Sequence, residues 1–359
     1  MTKISFLKGV ATTALLLIGF GAQVALAQTP LDLSGTTLTV VTQSPQNIPG
    51  FDASGLFKDT PYKLNFAVVT GTSAVVSTLL AGAGDLGTLG DFSLILAQSN
   101  AQPEWPADNI PLKNVLALAP ADPVNYPLII TLAGKDSGIK TVADIKGKKF
   151  SYTPGGNANL QYLLTLKKAG LTPADVTPVQ LDFGVGATAL ANGQVDVITN
   201  NIQSSGVAFD AGAYILATAD DVGLPGVNTI TANADSLKDP KKLAAIRDFL
   251  GRYLKFQLWQ VQNPAAIQQT FVSGSKQTPK QAELSWKSSR QVPVIFDDKL
   301  YSTEQGIADT VKTYGLVKRN IDIKSQYDDE FNDLVASYVK DSGYLDIVAK
   351  SVAETAPKK

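Results

Sequence analysis

Residues 141–170, TVADIKGKKFSYTPGGNANLQYLLTLKKAG, decide the fold class. The turn Gly147-Lys148-Lys149 leads into a short strand at 150–152, and the loop Gly155-Gly156-Asn157-Ala158-Asn159 follows. An apolar-periodic helix then runs on to Gly170. With almost no side-chain bulk, the loop hands a strand directly to a helix N-terminus. The first N–H groups of a helix lack intrahelical partners and carry the positive end of the macrodipole, which suits an anion or a carbonyl oxygen. No side chain of the loop pairs a nucleophile with a base, so the stretch points to holding a ligand rather than reacting with it.

The same arrangement occurs on either side of this stretch. Strands are expected at 38–42 and 64–69, the second apolar enough to be buried on both faces. Residues 55–58, Gly-Leu-Phe-Lys, read as a helix end, and Thr70-Gly71-Thr72-Ser73 caps a helix over 74–81. Gly84-Asp85 then delivers a strand at 86–89. Further on come a strand at 179–182, a loop at 184–186, a helix at 187–191, and the turn Gly193-Gln194-Val195-Asp196 before a strand at 197–199. The two Gly-to-Asp turns either touch a ligand or shape the strands. Strand, small-residue loop, helix, Gly-x-(x)-Asp and strand thus recur twice, which argues for two α/β lobes rather than a solenoid. In open α/β sheets ligands bind beyond the C-terminal ends of the strands, where every one of these loops sits.

The expected lobes are residues 36–132 with 230–350, and 133–229. Crossings near 128–135 and 227–232 would join them, and a mainly helical stretch from Pro240 would complete the first lobe. Residues 100–113 read as an inserted surface loop and 351–359 as a disordered tail. At the other end, Lys3 and Lys8 precede an apolar run over 10–20 and the small residues Ala25 and Ala27. That is the pattern of a secretory signal peptide over 1–27, with no cysteine after it for a lipid anchor. Periplasm is the expected compartment.

Composition narrows the chemistry. The chain of 359 residues has no histidine and no cysteine. Ser-His-Asp triads, cysteine nucleophiles and histidine-based zinc sites are therefore excluded. With 31 Lys+Arg against 32 Asp+Glu there is no basic excess for nucleic acid. The acidic residues do not cluster, Asp328-Asp329-Glu330 being the densest run. Composition leaves open a carboxylate-only hydrolase or a calcium site, but with no acidic cluster the expected reading is a binding protein, non-enzymatic and without cofactor or metal.

Five of these segments resemble, in order, the periplasmic substrate-binding proteins of nitrate/sulfonate/taurine-type ABC transporters, which include thiamine-precursor binders. They are residues 55–58, 71–87, 141–170, 193–196 and 304–323 (EQGIADTVKTYGLVKRNIDI). The resemblance implies a two-lobe periplasmic-binding-protein type II fold with mostly parallel sheets and two crossing segments. It also implies hinge closure on a small ligand, and a membrane permease with its ATPase as partners. The chain departs from many sulfonate binders where Asn200-Asn201-Ile202-Gln203 replaces a Trp-acid-Pro sequence.

Candidate ligand contacts are the loop residues Gly155, Gly156, Asn157 and Asn159, and Thr72 and Ser73 opposite them. Gln43 and Ser44 at the first strand's end, and the amides of Asn200, Asn201 and Gln203, complete the polar set. Asp91 is placed near the mouth of the first-lobe site, where it would favour an amine. Arg290 is placed to swing in as a counter-charge to an anion. The expected ligand is a small oxyanion of the sulfonate, taurine or nitrate type. The alternative is a neutral or amine-bearing molecule of the pyrimidine type. The protein is expected to act as a monomer.

Overall fold

The computed structural model describes residues 31–357 apart from 44 and 107, so the expected leader and Ser44 lie outside the described residues. Two sheets organise the chain. The larger has six strands in the order β11-β4-β10-β3-β1-β2, the smaller five in the order β7-β6-β8-β5-β9. The strands are β1 Thr37–Thr42, β2 Lys63–Val68, β3 Leu86–Gly90, β4 Leu112–Pro120, β5 Ile129–Ala133 and β6 Lys149–Tyr152. After them come β7 Thr177–Gln180, β8 Val197–Asn201, β9 Tyr214–Thr218, β10 Asn228–Asn233 and β11 Gln291–Val294.

Both sheets are mixed rather than mostly parallel. β1 pairs in parallel with β2 and β3, and β6 with β7 and β8. The pairs made by β10 with β3 and β4, by β11 with β4, and by β5 with β8 and β9 are antiparallel. The cause is topological: β5 and β10 are the strands on which the chain enters one sheet from the other. The expected lobe limits at 132/133 and 229/230 therefore cut through β5 and β10.

β8 is buried along its whole length. Val197 packs with Phe150, Tyr162 and Leu166 on one face, and Ile198 with Leu132, Ala187 and Leu190 on the other, as the two-residue period of a strand requires. Against the larger sheet lies the long helix Pro240–Gln262. It sets Phe249, Tyr253 and Phe256 against Leu38, Val40 and Phe51. Phe51 meets Phe256 edge-to-face at 4.6 Å, an arrangement worth about 1 kcal/mol beyond the area it buries.

The two Gly-to-Asp turns shape strands. Asp85 donates its N–H to Thr39 O at 2.9 Å and accepts Thr39 N–H on Oδ2 at 2.7 Å. Asp196 repeats this grip on Lys149, at 3.0 and 2.8 Å. In each half the aspartate thus seals a neighbouring parallel strand.

Three expectations are corrected. The helix Phe183–Ala191 absorbs the expected loop at 184–186, because extending it by a turn closes Gly186 N–H on Asp182 O. In the stretch read as an inserted loop, Leu112 and Lys113 belong to β4, and Trp105 packs beside the cluster of Val41, Val75 and Leu112. The tail is helical through Thr355, the helix Tyr344–Thr355 being tied down by Arg290 and by Tyr126 Oη, which donates to Thr355 O at 2.8 Å. No helix of the described residues is long and apolar enough to cross a membrane.

Candidate functional site

The C-terminal ends of β1, β3, β4 and β8 and the starts of the antiparallel β5, β10 and β11 converge on one cavity of about 140 Å³ between the two sheets. That is close to the roughly 150 Å³ that holds a benzene-sized molecule. From the larger half come Gln43, Asn47, Thr72, Thr88, Gly90, Asn228 and Thr229. From the smaller half come Gly156, Asn157, Ala158, Phe183, Asn201 and Gln203. The long helix adds Tyr253, Phe256, Gln257 and Gln260, and the start of β11 adds Gln291. Among the described residues lining it there is no Lys, Arg, Asp or Glu.

Two helix N-termini meet at this cavity. The helix Thr72–Leu80 starts after Gly71, and the helix Asn157–Lys168 after Gly156. They approach so closely that a Cβ on Gly156 would lie 2.8 Å from Thr72 Oγ1, and one on Gly155 would lie 2.7 Å from Ser73 Oγ. Gly155 also has φ +88°, a conformation that favours glycine. Its N–H donates to Asn159 Oδ1 at 3.3 Å, so Asn159 closes the loop. Thr72 Oγ1 donates to Gln43 Oε1 at 3.2 Å, which fixes both at the rim of the larger half.

Asn157 bridges the halves. Its Nδ2 donates to Val227 O at 3.2 Å, and its Oδ1 is buried without a hydrogen-bond partner among the described residues. Its carboxamide rests on Gly90, where a Cβ would stand only 2.1 Å from Oδ1.

Gln43, Thr72, Gly156, Asn157, Asn201 and Gln203 are thus brought together at the cavity, with Ser73, Gly155 and Asn159 directly beside it. Asn200 is not: it is buried within β8, donating to Phe183 O at 3.0 Å and accepting from Asn201 N–H at 2.9 Å. Arg290 is corrected outright. It is 1% exposed, and its guanidinium donates to Ser351 O, Ser351 Oγ and Thr355 Oγ1 while lying over Trp286 and Tyr126. A cation so engaged cannot swing into a cleft.

Asp91 lies at no mouth. It is the first residue of the buried helix start Asp91–Asn100, 1% exposed, and burial pushes its carboxyl up to about 7. Among the residues missed, Gln257 and Gln260 carried a readable signal. They are amides three residues apart on the apolar face of the long helix, 4% and 3% exposed, and hydrogen-bonded to each other. Buried polar pairs on such a face call for a polar partner.

Residues 52–266 match the NMT1/THI5-like family. A putative thiamine biosynthesis protein of Haemophilus influenzae is 26% identical over 230 residues, 61% of this chain and 69% of that protein. A putative aliphatic sulfonates-binding protein of Escherichia coli is 31% identical over 122 residues, 34% of each chain. Among solved structures, an alkanesulfonate-binding protein of Xanthomonas axonopodis pv. citri, bound to MOPS, superposes with a TM-score of 0.69 at 20% identity. That match covers 81% of this chain and 97% of the other; at such identity the likeness speaks for the fold alone.

Proposed function

The chain belongs to the NMT1/THI5-like family, and from that premise we propose that it is the solute-binding component of an ABC importer. The two sheet-centred halves act as lobes that close on a small ligand outside the cytoplasm and deliver it to a permease and its ATPase. The observation that carries the reading is the meeting of two helix N-termini, after Gly71 and after Gly156, at one amide-lined cavity. Helix ends and neutral donors hold an oxyanion without a formal counter-charge, and binding proteins among the relatives are named for sulfonates. A sulfonate-type oxyanion is accordingly the first ligand class. A neutral or amine-bearing ring compound is the second, favoured by a lining rich in Asn and Gln with Phe183, Tyr253 and Phe256 to stack on.

A thermal-shift screen separates the two. A ligand at about 100 times its Kd adds roughly 2.7 kcal/mol to the folded state. A shift with ethanesulfonate or taurine supports the oxyanion, and a shift with pyrimidines or small amines alone supports the second class. No shift with any of them refutes both.

A further inference from the structure

Behind the cavity lie two carboxyl groups that ligand binding as described leaves unused. Asp91 is 1% exposed and Glu304, on the helix Asp298–Thr313, is fully buried. Neither Glu304 oxygen has a hydrogen-bond partner, and neither carboxyl is paired with a lysine or arginine among the described residues. Asp91 grips Val227 as Asp85 grips Thr39 and Asp196 grips Lys149. Its N–H donates to Val227 O at 3.0 Å, and its Oδ2 accepts Val227 N–H at 3.1 Å. Here, however, the residue gripped is not within a parallel strand. Val227 ends the segment by which the chain returns to the larger sheet, and its carbonyl also receives Asn157 Nδ2 from the smaller half. Gly90, immediately before Asp91, is the seat of that same carboxamide.

We propose that Asp91 is a positioning residue for closure: it fixes Val227 as the acceptor on which Asn157 latches, and repulsion from Glu304 makes the latch sensitive to the pair's ionisation. The proposal rests on the reading that the two halves open and close around a ligand.

Asp91 has two backbone donors, Val227 N–H on Oδ2 and Phe92 N–H on Oδ1 at 2.7 Å, but among the described residues no cation offsets a second charge on the pair. Tyr327, beyond the turn Ile323–Gln326, faces the pair, and its phenol is pushed up by burial first and then by Glu304 and Asp91. β4 contributes Asn114, which accepts from Thr231 Oγ1 at 2.7 Å, and Lys113, whose Nζ turns to Ser325 O. The helix Asn157–Lys168 contributes Lys168, whose Nζ turns to Asp221 O, and the helix Thr72–Leu80 has no titratable side chain. Arg319, in the stretch after the Glu304 helix, donates to Ala101 O and pairs with Glu104. Burial therefore raises both carboxyls, Glu304 further through the charge of Asp91. As pH rises the pair becomes first an anion and then a dianion. The second charge repels the first where Asp91 must hold still.

The chain has no cysteine, so Lys63→Cys and Lys140→Cys, exposed on opposite halves, accept spin labels uniquely. Distances between them are measured by pulsed EPR from pH 5 to pH 9, with and without ethanesulfonate and uracil as probes. In this background the closed fraction falls as pH rises across that range. Asp91→Asn flattens the profile, and Glu304→Gln weakens it. Asp91→Ala and Asn157→Ala, one from each side of the latch, each lower the closed-to-open ratio about fivefold or more, as loss of a buried hydrogen bond requires. If the parent shows two distances and both alanine variants match it, or if Asp91→Asn keeps the full pH profile, the latch is overturned and closure stands. One invariant distance at every pH and with every probe overturns closure, and the latch with it.

Discussion

Gly90→Ala is the sharpest perturbation of the site, because its whole effect falls on the contact between the halves. Gly90 has φ −104° and ψ 163°, extended backbone that alanine adopts freely, so the larger half should fold as before. The added Cβ, however, would stand 2.1, 2.4 and 2.6 Å from Oδ1, Cγ and Nδ2 of Asn157. Either the carboxamide swings away or the halves part. Swinging away breaks the bond to Val227 O in a buried place, at about 1–3 kcal/mol. Forcing the methyl into the packed contact costs about 1–3 kcal/mol. Since the molecule takes the cheaper escape, closure should lose about 1–3 kcal/mol, a fall in affinity of roughly 5- to 150-fold. Titration calorimetry with whichever probe shifts the parent's melting measures the loss, and melting without ligand should barely change. Asn157→Ala removes the clashing group, so the double variant should bind as Asn157→Ala does, within about 0.5 kcal/mol. Binding of Gly90→Ala within twofold of the parent, or a double variant that binds tenfold more weakly than Asn157→Ala, would refute the reasoning.

Other expectations concern stability. Asp91 is raised from its ordinary range to about 7; its contribution is complete below the unfolded carboxylate range and is lost as pH rises through 7. Urea midpoints of Glu304→Gln should therefore gain on the parent between pH 5 and pH 8.5, and a constant difference would contradict the shared burial. Arg290→Ala should lower urea stability by about 2–4 kcal/mol by releasing the C-terminal helix, yet leave ligand affinity within twofold. An affinity loss of tenfold would return Arg290 to the site. Asp85→Ala strips the acceptor from Thr39 N–H, Ser236 Oγ and Lys242 Nζ, and should cost about 3 kcal/mol in the same assay. A loss below about 1 kcal/mol would mean that the turn does not hold β1.

Local chemistry made much of this molecule legible. The strand, the glycine loop and the helix of residues 141–170 are short-range features, set by periodicity and by glycine's freedom at Gly155, and they stand where the residues place them. The Gly-x-(x)-Asp turns were equally readable as turns, though only the fold assigns their carboxylates to Thr39 and Lys149. That five polar candidates and Gly156 line one cavity follows from strand ends being where an α/β fold gathers its loops.

What tertiary structure alone decided are the partners of long-range groups. Arg290 reads as a free cation until the helix Tyr344–Thr355 packs across it, and Asp91 reads as a loop acid until Val227 arrives from far along the chain. β10 runs antiparallel between β3 and β4 because the chain returns from the other sheet, a direction no local pattern records. Sequence periodicity reports which face of an element is buried. Which charge meets which carbonyl depends on segments 61 residues apart for Arg290 and 136 for Asp91, and only packing brings those together.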